Sequence, residues 1–171
     1  MSARVKAAAL LPALIIALSL SGCAPAGAPE ASPQAQEALS CTLVISCAPV
    51  LEHMDALDPD KTALIPDDGV FLSVEQASFS PGETVFDLTV RALQAQKKHI
   101  EFNTSPVYDS VYIEGICNLY EFDCGPLSGW VYTVNGVSPS LSCGQYALED
   151  GDKVEWTFVC DRTEPDGGEA S

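Results

Sequence analysis

The chain has 171 residues, 24 of them Asp or Glu against 8 Lys or Arg, for a formal net charge of −16 at pH 7. So acidic a surface excludes nucleic acid and anionic lipid as electrostatic partners, and its ordinary meaning is solubility. The length suits one domain with a single modest core.

Arg4 and Lys6 precede an apolar run from Ala7 to Leu20, 14 residues long and interrupted by Pro12. A bilayer-spanning helix needs about 20 apolar residues, so this run reads as a secretory signal. It ends in Leu20-Ser21-Gly22-Cys23, which looks like a bacterial lipobox. The expectation is removal of residues 1–22 and lipidation of Cys23; ordinary cleavage nearby is the alternative. Lipidation would hold the protein on the extracytoplasmic face of a bacterial cell membrane, attached through the lipid anchor only. Losing Arg4 and Lys6 leaves 6 − 24 = −18 as the mature charge. Residues 23–40 are rich in Ala, Pro, Gln and Ser without apolar periodicity, a flexible tether. Residues 163–171 read as a frayed tail, leaving 41–162 as the domain.

Within the domain, CTLVISC alternates, so Cys41, Leu43, Ile45 and Cys47 share the inner face of a strand. A helical turn is expected around Leu51 to Leu57, then a Pro- and Asp-rich loop. GVFLSVEQASF is a second extended run. SPGETVFDLTVRALQAQKK is the one clear helix: Thr84 and Asp87 have capping-box spacing, and Val85, Leu88, Ala92 and Leu93 form an apolar stripe. Lys97 and Lys98 are expected in its last turn, where cations suit the helix dipole. The segment from His99 to Gly129 is irregular and aromatic, expected as short extended pieces joined by loops. WVYTV and DKVEWTFVC are strands, with Val154, Trp156, Phe158 and Cys160 on one face of the second. Asn135-Gly136 suits a type I′ turn, since both residues tolerate positive φ.

Strand, strand, helix, loop, strands is the order of an α+β, β-grasp-like mixed sheet with one crossing helix. Apart from Cys23 there are six cysteines, an even number that suits a disulfide-stapled exported domain. In a β-grasp sheet the first and last strands lie parallel, which would bring Cys47 to Cys160. Cys124 with Cys143 would tie two late loops, leaving Cys41 with Cys117.

Catalytic signals are poor. His53 and His99 stand in separate segments with no motif around them, and no nucleophile elbow, HExxH or phosphate loop is present. Asp55, Asp58 and Asp60 lack the spacing of a calcium loop, and the cysteines lack zinc spacing. The expectation is a protein that is not an enzyme, with no metal and no required cofactor.

CTLVISC, FSPGETVFDLTVRAL, YIEGICNLYEFDCGPLSGWVYTVNG and YALEDGDKVEWTFVCD together resemble the transcobalamin-like C-terminal domain family of bacterial exported proteins. Cys117 departs from the family pattern, which leaves open that Cys41 and Cys117 are free. The resemblance implies a β-grasp-like fold and kinship with the small domain that closes over one face of the corrinoid in animal cobalamin carriers. Their large helical domain is absent from this chain. A corrinoid is flat and mostly apolar with amides on its rim, so a site for it needs aromatic area and a few amide or hydroxyl partners. The candidates are Tyr108, Tyr112, Tyr120, Trp130, Tyr132, Asn135 and Gln145. Each has a plainer reading: Trp130 as a core anchor, Tyr120 as a core edge, Asn135 as a turn residue, Gln145 as solvated. Two functions follow. One is a monomeric surface lipoprotein that captures cobalamin or another corrinoid and passes it to a membrane transporter. The other is a non-catalytic module that binds protein or glycan.

Overall fold

The computed structural model describes residues 38–163. The signal segment, Cys23, the tether up to residue 37 and the tail from 164 lie outside the described residues.

Strand β1 (Ser40–Ser46) alternates as its sequence does, with Cys41, Leu43 and Ile45 buried and Cys47 buried just beyond. A 3-10 turn, Ala48–Glu52, precedes and only at Leu51 and Glu52 overlaps the helical turn expected around Leu51 to Leu57, and a second, Pro59–Leu64, falls in the expected loop. Strand β2 (Val70–Ser78) returns antiparallel to β1. The helix, α1 (Val85–Ala95), opens with the full capping box: Asp87 N–H donates to Thr84 Oγ1 at 3.2 Å and Thr84 N–H to Asp87 Oδ2 at 3.1 Å. An N-cap of this kind contributes about 1 kcal/mol. Lys97 and Lys98 lie beyond the helix, not in its last turn. Lys97 N–H donates to Gln94 O and Lys98 N–H to Leu93 O, with Lys97 at φ 54°, which is a Schellman end.

Strands β6 (Gly129–Val134) and β7 (Lys153–Val159) complete a four-stranded sheet in the order β2-β1-β7-β6. Its centre, β1 beside β7, is parallel, the arrangement expected of a β-grasp sheet. The helix packs on its inner face through Val85, Leu88 and Leu93. One polar link crosses this core: Trp156 Nε1–H donates to Thr89 Oγ1 at 2.9 Å, and that hydroxyl donates to Val85 O at 2.7 Å. Both buried polar groups are thus satisfied.

The irregular segment forms a second sheet of three strands, β3 (Ile100–Ser105), β4 (Ser110–Ile116) and β5 (Leu119–Tyr120). Between β4 and β5, Cys117 and Asn118 take φ 54° and 64°, the signature of a two-residue I′ turn. Asn135 and Gly136 form the other, at φ 55° and 76°, with Val134 and Val137 exchanging both backbone hydrogen bonds. Past that turn the chain pairs back on β6 at Val137, and the loop that leads to β7 bridges Thr84 through Ala147.

The expected disulfide set does not form. Cys124 is bonded to Cys160, with Cα atoms 5.1 Å apart, while Cys41, Cys47, Cys117 and Cys143 are free. Register decides against Cys47–Cys160. Ser46 lies opposite Thr157, so Cys160 falls beyond the level of Cys47, and the Cys47 N–H is drawn to Gly69 O at 2.7 Å. The segment after β7 instead runs beside the β5–β6 loop, where Arg162 N–H donates to Leu127 O, and this delivers Cys160 to Cys124. Cys143 cannot compete, because its carbonyl caps Phe86 N–H at the start of α1. Burial pushes the Cys47 thiol up to about 12 and those of Cys41 and Cys143 up to about 11. Such thiols are poor nucleophiles at neutral pH.

Candidate functional site

The seven candidate residues divide into three groups. Trp130, Tyr132 and Asn135 serve the main sheet. Trp130 is buried, edge-on to Phe158 at 5.3 Å and tilted against Phe71 at 6.2 Å. Its Nε1–H donates to Leu119 O at 2.9 Å, so the indole joins the two sheets and presents no ring face to solvent. Tyr132, on the same face two residues on, is half-buried against Trp156. Its hydroxyl donates to Leu141 O at 2.7 Å, and burial pushes its pKa up to about 12. Asn135 uses both ends of its amide to fix the start of β7. Its Nδ2 donates to Asp152 Oδ1 at 2.8 Å, and its Oδ1 accepts from Lys153 N–H at 2.9 Å.

Tyr120 and Tyr112 belong to the second sheet. The Tyr120 ring lies on Gly115, where an added Cβ would come within 2.5 Å of it, so that glycine is required by close approach. Lys61 Nζ stands 4.8 Å above the same ring. Tyr112 is 42% exposed, and its hydroxyl bonds Glu121 and accepts from Arg162 Nη1 at 2.9 Å. Burial and then the Glu121 hydrogen bond raise its pKa, while Arg162 opposes them.

Tyr108 and Gln145 form the third group, and it is the one open to solvent. Tyr108 is 76% exposed and Val107 83%, both at the tip of the β3–β4 hairpin. The hairpin is held against the loop before β7. Val111 N–H donates to Ser142 Oγ at 2.8 Å, and that hydroxyl donates back to Val111 O at 3.0 Å. Gly144 permits the approach, since a Cβ there would meet Val111 Cγ2 at 2.7 Å. This docking sets Gln145 Nε2 3.5 Å from Tyr108 O and leaves Leu141 half exposed beside the Tyr132 hydroxyl.

Val107, Leu141, Ser142 and Gly144 were not singled out from the sequence. The signal available was the pairing of two loops, SPVYDS and SLSCGQY, whose meeting depends on tertiary structure. The resulting surface offers apolar area from Val107, Tyr108 and Leu141 and an amide from Gln145. That is contact chemistry for a flat, largely apolar molecule with polar substituents. It contains no nucleophile–base pair. Among the described residues no group of three or more His, Cys, Asp or Glu side chains is placed to hold a metal ion.

The family model described as "Domain of unknown function (DUF4430)" matches residues 82–159, from the turn before α1 to the end of β7. No curated protein matches. Among solved structures, haptocorrin in complex with Cbi is similar at 13% identity and a TM-score of 0.47, covering 72% of this chain. The match takes in 26% of the haptocorrin chain, so this protein spans about a quarter of that one. A candidate metal-binding protein of Ruminococcus gnavus is similar at 14% identity and a TM-score of 0.41, covering 70% of this chain and 95% of its own.

Proposed function

We propose that the protein is a lipid-anchored, extracytoplasmic binding protein, not an enzyme, that captures a corrinoid such as cobalamin for uptake. The observation that carries this reading is the hairpin tip. Val107 and Tyr108 are 83% and 76% exposed, yet the backbone that bears them is fixed by the Ser142–Val111 hydrogen bonds. A largely exposed aromatic on an ordered support is contact area ready for a partner, with little ordering left to do on binding. Gln145 supplies an amide for the rim of the ligand, and the sequence resemblance supplies the ligand class. Because the tip is a projecting edge, the other face of the ligand stays open to a second protein, which suits transfer to a membrane transporter.

The burial of Trp130 favours the alternative, a protein- or glycan-binding module, because it removes the largest ring from the ligand surface. Calorimetric and absorbance titration of the protein with cobinamide and cobalamin separates the two. Saturable binding at micromolar ligand that Tyr108→Ala weakens supports corrinoid capture. No heat and no spectral change at high micromolar ligand sinks it.

A further inference from the structure

The opposite end of the β3–β4 hairpin carries a second feature. Five residue steps separate Ile100 from Ser105, about 17 Å of strand. At the base, Cys117 N–H donates to His99 O at 2.8 Å and closes the ribbon. There a groove of about 360 Å³ opens between the end of α1, the β4–β5 turn and the segment leading into β2. Its apolar lining is Leu64, Pro66 and Phe71. Its polar lining is Lys97, Lys98 and His99, with Cys117 and Asn118.

Charge marks this groove out. The chain has 24 acidic residues, and none lines it. Beyond the signal segment there are six Lys and Arg, of which two, Lys97 and Lys98, are here. Lys61, Arg91 and Lys153 are neutralised in ion pairs with Asp123, Glu83 and Glu155, and Arg162 donates to Leu127 O and the Tyr112 hydroxyl. Lys97 and Lys98 have no ion pair among the described residues. Burial raises the Cys117 thiol and Lys98 pulls it back down, so the Lys98 charge acts into the groove lining. Lys97 moreover occupies a left-handed position where glycine is the usual residue. Two lysines without an ion pair among the described residues thus line the same groove as Leu64, Pro66 and Phe71, in a space within the range of small-molecule sites.

We propose that this groove binds a small organic anion. Its carboxylate or phosphate head would lie between Lys97 and Lys98, and its apolar body against Phe71, Leu64 and Pro66. The groove shares no residue with the hairpin tip, so the proposal stands apart from corrinoid capture.

The test is a set of titrations of the ¹⁵N-labelled protein with benzoate, phenyl phosphate, phenol and inorganic phosphate, followed by amide chemical shifts. The expected result is saturable shifts at Lys98, His99, Cys117 and Asn118 with benzoate or phenyl phosphate, the stronger ligand identifying the head group. Phenol and inorganic phosphate, each lacking one half of the chemistry, should bind about tenfold more weakly or worse. Lys97→Gly, which keeps the helix end in its preferred residue, combined with Lys98→Gln should weaken binding by about tenfold or more. Lys153→Gln is the control and should change nothing, with thermal melting confirming that each variant folds. Equal affinity for phenol would remove the cationic role, and equal affinity for inorganic phosphate the apolar one. Absence of shifts with both organic anions, or binding unchanged in the double variant, overturns the proposal.

Discussion

In the four-stranded sheet, Trp130, Trp156 and Phe158 are buried, and each indole N–H has its acceptor, Leu119 O and Thr89 Oγ1. In the three-stranded sheet, Phe102, Tyr108 and Tyr112 keep 40%, 76% and 42% of their surface in solvent. Both sheets are aromatic-rich, but one has a helix laid across its inner face, while the other meets that helix through Phe102, edge-on to Phe86 at 4.7 Å. Rings that the helix covers fully become core, while the Tyr108 ring at the tip of the ribbon stays available to a partner. Composition alone does not separate the two, because the covering layer lies elsewhere in the chain.

That contrast can be broken by substitution. Phe158→Ala, at a fully buried position, should cost about 3–5 kcal/mol in urea unfolding. A loss below about 1 kcal/mol would mean the main core is not where the structure puts it. Cys124→Ser with Cys160→Ser opens a link across 36 residues that ties the β5–β6 loop to the end of β7, and should cost about 2–4 kcal/mol. Thiol titration of the unfolded, unreduced protein should find the thiols of Cys41, Cys47, Cys117 and Cys143 free, in contrast to three full disulfides.

Alkaline pH probes the same core more gently. The Cys47 thiol, ordinarily at 9.0, is pushed up to about 12 by burial, so the folded state holds its proton after the unfolded state has lost it. Its contribution is complete below pH 9 and is lost as pH rises from 9 toward 12. Cys47→Ala should flatten that part of the stability–pH profile, and an unchanged slope would show that the thiol is not buried. The smallest stability effect belongs to the ribbon: Tyr108→Ala should shift stability by less than about 0.5 kcal/mol. A larger loss would make Tyr108 a packing residue and remove it from the ligand surface.

Much of this architecture was legible in local pattern. The alternation of CTLVISC placed one face of β1 inside, Thr84 and Asp87 announced the start of α1, and Asn135-Gly136 announced its turn. These signals act within a few residues of one another. What stayed open or failed required a distant partner. Of the two readings of Trp130 the core anchor holds, with its indole N–H on the carbonyl of Leu119, eleven positions away on a two-residue strand. The disulfide depended on where β7 ends relative to β1, which no spacing of cysteines records. Cys117-Asn118 and Lys97 escaped notice because these positive-φ sites carry residues other than glycine. At the candidate site Tyr108 and Gln145 could be named, but their meeting rests on Ser142 and Gly144 docking against Val111.

The most direct test of the ligand surface is backbone amide hydrogen exchange with and without saturating cobinamide. The account predicts added protection at residues 105–110 and 141–146, with β6 and α1 unchanged. Protection confined to other segments, or none at all at high micromolar cobinamide, would contradict it.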